Sequence, residues 1–189
     1  DGTAVELSAV QLGTGGFVIN GVSADDASGR SVSSAGDVNG DGFDDLIVGA
    51  YGDDPNSNDK SGASFVVFGK TDGTAVELSA IELGTGGFVI NGVSADDRSG
   101  FSVSTASDVN GDGFDDLIVG ARYDDPNESN SGASFVVFGK TDGTAVELSA
   151  VEAGTGGFVI NGVSRDDRSS LSVSSAGDVN GDGFDDLIV

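Results

Sequence analysis

Ser31-Val32-Ser33-Ser34-Ala35-Gly36-Asp37-Val38-Asn39-Gly40-Asp41-Gly42-Phe43-Asp44-Asp45-Leu46-Ile47-Val48-Gly49-Ala50 is the stretch on which the fold turns. Its central nine residues, Asp37 to Asp45, recur unchanged as Asp108 to Asp116 and as Asp178 to Asp186. Oxygen-bearing side chains stand at positions 1, 3, 5 and 9 of the nonamer, with Gly at 4 and 6. Alternating oxygen donors on a glycine-hinged loop are the means by which a short segment wraps a hard divalent cation, since Ca²⁺ takes about 6–8 oxygen ligands. Glycine supplies the left-handed turns that bring successive ligands to one point.

The flanks decide which kind of loop this is. An EF-hand has a carboxylate at position 12 and a helix on either side, but position 12 is Val48, Val119 or Val189. Leu46-Ile47-Val48 reads as a short buried strand, and Ser31-Val32-Ser33-Ser34 alternates as a strand does. The loop therefore joins two strands. Its candidate cation ligands are the side chains of Asp37, Asn39, Asp41 and Asp45 and the carbonyl of Phe43. Three carboxylates converging without a cation would repel one another, and Mg²⁺, which keeps its water in a small octahedron, suits such a loop less well than Ca²⁺. Asp44, at an even position beside a ligand, is read as facing solvent or supporting a ligand from behind.

The whole chain is built the same way. Asp1-Gly2-Thr3-Ala4-Val5-Glu6-Leu7-Ser8-Ala9 returns at Asp72 and at Asp142, which divides the sequence into units 1–71, 72–141 and 142–189, the last truncated. Each full unit reads as four short strands: Gly16 to Asn20, Ser31 to Ser34, Leu46 to Val48 and Ser64 to Phe68 in the first. Turn residues separate them. Val5 to Leu12 reads as one helical turn or an irregular arm. A four-strand repeat of about 70 residues implies an all-β chain of antiparallel four-stranded β-propeller blades, an incomplete array of just under three blades here. Phe17, Phe65 and Phe68 are expected to fill the space between sheets. The missing fourth strand of the last unit implies a segment of a longer chain, or a subunit completed by other copies.

Composition removes several functions. The formal net charge is −24, which three bound Ca²⁺ would reduce to −18. Nothing resembles a basic patch, so nucleic acid is not an expected partner. With neither His nor Cys, a Ser-His or Cys-His nucleophile cannot be assembled. The acidic pairs Asp25-Asp26, Asp53-Asp54, Asp96-Asp97 and Asp124-Asp125 recur with the repeat, and read as solvated turns or auxiliary cation contacts rather than one catalytic pair. Leu12-Gly13-Thr14-Gly15-Gly16 lacks the helix a phosphate loop needs. Only Tyr51 and Tyr123 are present to serve a glycan reader, as Trp is absent. No signal peptide or membrane-spanning run is apparent, and Ca²⁺ sites of this class suit the extracellular concentration range.

The Ser31 to Ala50 string resembles an FG-GAP repeat, the unit of the β-propeller of integrin α subunits and of many bacterial surface proteins. The resemblance covers essentially the whole chain. It implies one blade per repeat and Ca²⁺ in the Asp/Asn loop between the first two strands. The implied ligands are Asp37, Asn39, Asp41, Phe43 and Asp45; Asp108, Asn110, Asp112, Phe114 and Asp116; and Asp178, Asn180, Asp182, Phe184 and Asp186, three sites in all. The chain departs from the family where Phe-Gly becomes Ser28-Gly29, Ser99-Gly100 and Ser169-Ser170. It departs again where Gly-Ala-Pro becomes Gly49-Ala50-Tyr51 and Gly120-Ala121-Arg122. The expected function is a non-enzymatic, calcium-binding module of an extracellular surface, adhesion or structural protein. Its expected partners are further repeats or copies of itself, with a surface protein or glycan as ligand. The alternative is a segment of an extracellular polymer or fibre built from repeated blades; a lectin or enzyme scaffold ranks behind both.

Overall fold

The computed structural model describes residues 4–57 and 59–189. The start of the first repeat, Asp1 to Thr3, and Asn58 of the loop after Pro55 lie outside the described residues. The strands are β1 (Ile19–Asn20), β2 (Ser31–Gly36), β3 (Asp45–Ala50), β4 (Ala63–Val67), β5 (Val76–Glu77), β6 (Gly87–Asn91), β7 (Ser99–Ser107), β8 (Asp116–Ala121), β9 (Ala133–Val137), β10 (Val146–Glu147), β11 (Gly157–Asn161), β12 (Ser174–Gly177) and β13 (Asp186–Ile188). Three five-residue helices, α1 (Leu7–Gln11), α2 (Leu78–Glu82) and α3 (Leu148–Glu152), lie where one helical turn or an irregular arm was expected.

Two four-stranded antiparallel sheets carry the fold, β2–β3–β4–β6 and β7–β8–β9–β11, with β12–β13 as a further hairpin. Leu-Ile-Val-Gly-Ala and Ala-Ser-Phe-Val-Val are buried in both sheets, apart from the half-buried Leu46, because each sheet is covered on two faces. Ile47, Val66, Phe88 and Ile90 of the first sheet pack against Leu117, Val119, Phe135 and Val137 of the second. Val48, Phe65, Val67 and Val89 line the opposite face of the first sheet, where Leu78 and Ile81 of α2 cover them. A five-residue helix is unstable alone; it persists here through that pair of buried side chains. Face-to-face stacking of successive antiparallel sheets is the architecture of propeller blades.

The outermost strand of each sheet comes from the following sequence unit. Phe88-Val89-Ile90 of unit 72–141 pairs with β4 of unit 1–71, Phe65 standing opposite Val89. Phe158-Val159-Ile160 pairs with β9 in the same way. The sheet and the sequence repeat are therefore out of phase by one strand, so each unit boundary is held by main-chain hydrogen bonds across it. A second stitch joins neighbouring sheets at their outer edges. β10 runs parallel to β6 and β5 parallel to β1, while the Asn91 amide donates to Glu147 at 2.7 Å and the Asn20 amide to Glu77 at 2.6 Å.

Along the opposite edges β2, β7 and β12 run side by side. Serine is frequent here because the strands come close without pairing as a ladder. The Ser31 hydroxyl accepts the Val103 N–H at 3.0 Å, and the Ser102 hydroxyl donates to the Ser170 carbonyl at 2.8 Å. Gly49 meets Gly100 so closely that a Cβ on Gly49 would lie 2.1 Å from the Gly100 carbonyl oxygen. Among the described residues, no helix is long and apolar enough to cross a membrane.

Candidate metal centre

Each Asp/Asn loop turns the chain between the two strands closest to the inner edge, β2 to β3, β7 to β8 and β12 to β13. A bulge with a left-handed residue precedes it, Gly36 at φ 73°, Ser107 at 55° and Gly177 at 68°. The bulge sets the first Asp facing back into its own loop.

In the first loop, one oxygen of Asp37 accepts the N–H groups of Gly40 and Asp41 at 2.8 and 3.0 Å, and the other accepts that of Gly42 at 2.9 Å. The Asn39 side-chain oxygen accepts the Asp41 N–H at 2.8 Å, and Asp41 accepts the Phe43 N–H at 2.9 Å. Asp45 is fully buried and spans outward, accepting Val38 N–H at 3.1 Å and Gly69 N–H, just beyond β4, at 2.7 Å. The second loop repeats every one of these bonds through Asp108, Asn110, Asp112 and Asp116. The third repeats the Asp178 and Asp182 contacts, while Asp186 accepts from the N–H groups of Val179 and Asn180 and from the Asn180 amide.

Burial pushes Asp45 up to about 6; the N–H groups of Gly69 and Val38 oppose the shift, and the charges of Asp41 and Asp37 add to it. Asp116 is raised to about 6 for the same reasons. Asp178, which is exposed, is held below its ordinary value by the N–H of Gly183, with Gly181 and Asp182 assisting. Each of the first two loops thus keeps a carboxylate whose charge is disfavoured chiefly by burial, with two like charges adding to the effect. That donor set, hard oxygens with excess negative charge, suits a divalent cation. Among the described residues, no group of three or more acidic side chains is gathered tightly enough to hold an ion as it stands. The Phe114 ring lies where a side chain on Gly40 of the neighbouring loop would be, and the Phe184 ring approaches Gly111 in the same way.

The eighth loop position is not uniform, taking both of the roles read for it: Asp44 is exposed, while Asp115 supports a ligand residue from behind, accepting the N–H of Asp37 in the neighbouring loop at 2.8 Å. The acidic pairs are also not uniformly solvated turns. Asp26, Asp97 and Asp124 are buried, while Asp25, Asp96 and Asp125 beside them are exposed. Burial raises Asp97 to about 7, with the Asp124 charge adding to it, and raises Asp124 to about 6. The spacing of these acids along the chain carried no sign of this, since the groups that meet them, Asp124 beside Asp97 and Glu152 of α3 beside both, are distant from them in sequence.

Residues 28–67 and 99–137 match the FG-GAP repeat family. Over 171 residues the chain is 30% identical to integrin alpha-5 of Xenopus laevis, covering 85% of this chain and 14% of that protein. It is 29% identical over 175 residues to integrin alpha-PS2 of Drosophila melanogaster, covering 92% of this chain and 12% of that protein. Integrin alpha pat-2 of Caenorhabditis briggsae is 38% identical over 99 residues, 49% of this chain and 7% of its own length. The chain thus spans about an eighth of the first two relatives. The matched segments run from the inner-edge strand through the Asp/Asn loop to the Phe-Val-Val strand, the same three strands that each sheet takes from one sequence unit. On that agreement of repeat and sheet, the chain belongs to the integrin-alpha-like FG-GAP repeat family.

Proposed function

We propose that this chain is a non-enzymatic, calcium-stabilised β-propeller module of an extracellular adhesion protein. The observation that carries the reading is the bond pattern of the Asp/Asn loop, reproduced atom for atom in the first two loops around the buried carboxylates Asp45 and Asp116. Ca²⁺ would be held by Asp37, Asn39, Asp41 and Asp45 with the Phe43 carbonyl, and by the matching residues from Asp108 to Asp116 and from Asp178 to Asp186. When bound, the ion supplies positive charge against three carboxylates and pins the hairpin that joins the two inner-edge strands. The protein's own contribution is to orient: glycine and Asn turns aim the loop oxygens, and Asp45 ties the loop to Gly69 at the end of β4.

The likeness to integrin alpha chains supports the adhesion role and a position at the cell surface. The absence of His and Cys, and the recurrence of acidic pairs in equivalent places, support a role without catalysis. Calorimetric titration of the chelator-stripped protein tests the metal part, with three Ca²⁺ per chain expected and no heat of binding as the contrary result.

A further inference from the structure

The chain carries eight Lys and Arg residues against 32 Asp and Glu. Four of the eight converge on one row of aromatic rings. Tyr51 and Phe101 stand edge to face with centroids 5.6 Å apart. The Arg30 guanidinium lies 4.9 Å from the Phe101 centroid and 5.6 Å from that of Tyr51. Arg122 lies between Phe101 and Tyr123, at 3.7 and 4.5 Å. Arg98 and Arg168 approach Tyr123 at 5.0 and 5.3 Å. The row draws on all three sequence units and sits at the ends of β2 and β3 remote from the Asp/Asn loops.

This row falls where the otherwise uniform repeats diverge. Ala27 is matched by Arg98 and Arg168, Arg30 by Phe101 and Leu171, and Tyr51 by Arg122. Cation and aromatic exchange places between the first and second units, which keeps the alternation going across the blade boundary. Among the described residues, none of the four arginines forms an ion pair, although acidic residues are abundant. The Nε atoms of Arg98 and Arg122 are buried without a hydrogen-bond partner. Asp97 and Asp124, the nearest buried acids in sequence, accept from the N–H groups of Ser94 and Asp125 instead. Burial, with the charges of Arg98, Arg30 and Arg168 and against that of Tyr123, lowers the affinity of Arg122 for its proton. Four like charges held together without counter-ions call for an anion from elsewhere.

We infer that the Arg30–Arg98–Arg122–Arg168 row is a docking site for an acidic peptide segment of a partner protein, whose side-chain carboxylates pair with the guanidinium edges. A guanidinium presents a planar fork of N–H donors matched to carboxylate. Guanidinium groups already lie against the Phe101 and Tyr123 rings, which disfavours the stacking of a sugar or a nucleobase there. Asp96, Asp97 and Asp125 line a cavity of about 290 Å³ beside Arg98 and Tyr123. They bound the row on that side. The inference names the partner chemistry of the adhesion reading and rests on it.

The test is fluorescence anisotropy of labelled hexaglutamate with the Ca²⁺-loaded protein at low salt, hexaglutamine being the neutral control. Saturable binding of hexaglutamate alone is expected, falling as salt rises. The double substitution Arg98→Gln/Arg122→Gln should weaken it at least tenfold, and Arg122→Lys should weaken it less, keeping the charge and losing the fork. Lack of binding, or binding indifferent to these substitutions, overturns the inference. So does arginine-dependent capture of a heparin oligosaccharide in place of the peptide. Melting of the double variant with and without chelator is read separately: a chelator-sensitive melt with no peptide binding sinks only this site, whereas a chelator-insensitive melt sinks the calcium reading.

Discussion

The carboxylate of Asp115 accepts the N–H of Asp37 at 2.8 Å, and the Asp115 N–H donates to the Asp37 carbonyl at 3.2 Å. These residues belong to Asp/Asn loops of neighbouring blades. Asp37 is the first residue of its loop and holds three N–H groups of that loop. One loop is therefore seated on the next, and the backbone of Asp37 cannot move without disturbing Asp115. Lys140 adds to the seat by donating its N–H to the Val38 carbonyl at 2.8 Å.

Asp115→Ala should loosen the first loop while leaving the second loop's own ligands in place. Loss of one charge-assisted bond to a partly buried N–H costs about 1.5–3 kcal/mol. Calorimetric titration should show one Ca²⁺ weakened and the others retained. Asp44→Ala, at the equivalent but exposed position of the first loop, should be close to silent. Equal effects from the two substitutions would contradict the seating.

Ca²⁺ removal should lower the melting temperature sharply. At ~1 mM Ca²⁺ and a Kd of ~10 μM, each filled site contributes about 2.7 kcal/mol. Calorimetric melts with and without chelator check this, and coincident transitions would leave the loops as plain turns.

Asp45→Ala and Asp41→Ala should differ in kind. Asp45 is buried and satisfies the N–H groups of Val38 and Gly69, so its truncation orphans two donors, at about 1–3 kcal/mol each. That loss should persist in chelator. Asp41 is exposed, and its removal should matter mainly when Ca²⁺ is present, as should Asp112→Ala and Asp182→Ala. Urea titrations of each variant with Ca²⁺ and with chelator separate the cases.

The buried Asp97 predicts a pH dependence that is separate from the loops. Its ordinary value is 3.8 and its folded value about 7, so between those limits the native state binds more protons than the unfolded chain. Stability from this group is full below about pH 4 and is lost as pH rises through 7. Asp97→Asn keeps an oxygen for the Ser94 N–H and removes the buried charge facing Asp124. It should raise the melting temperature at pH 8 in chelator, by about 1 kcal/mol in stability, and should have little effect at pH 4. A variant that melts lower at both values would refute the assignment.

Ser107 adopts φ 55° at the bulge where its counterparts are Gly36 and Gly177. Ser107→Gly should stabilise by relieving the left-handed strain, about 0.5–1 kcal/mol against the entropy glycine costs. Gly36→Ser should be the reverse and larger, since a Cβ there would lie 2.1 Å from the Asp115 carboxylate. Paired thermal melts of the two variants read the difference directly.

Much of this molecule is written locally. Asp37 to Asp45 specifies its turn through side chains that bond backbone two to five residues away. Leu46-Ile47-Val48 and Ser64 to Phe68 declare buried strands by β-branching and aromaticity, and the repeat of about 70 residues declares the blade. Those signals work because turn chemistry and strand propensity depend on near neighbours. They placed the hairpins and the strands on either side of each Asp/Asn loop.

Tertiary structure alone decided how the pieces met. Phe88-Val89-Ile90 closes the sheet of the preceding unit because β4 offers it a free edge, and no residue in either strand names that partner. Asp44 and Asp115 are the same letter in the same nonamer, yet one is exposed and the other bonds to a neighbouring loop. Asp97 read as a solvated turn residue or an auxiliary cation contact and is buried near Asp124; Arg30 and Arg122, far apart in sequence, both lie against the ring of Phe101. A repeated sequence fixes the chemistry each blade presents, but burial and charge are set by which surface of the next blade lies against it, and that depends on packing between residues distant along the chain.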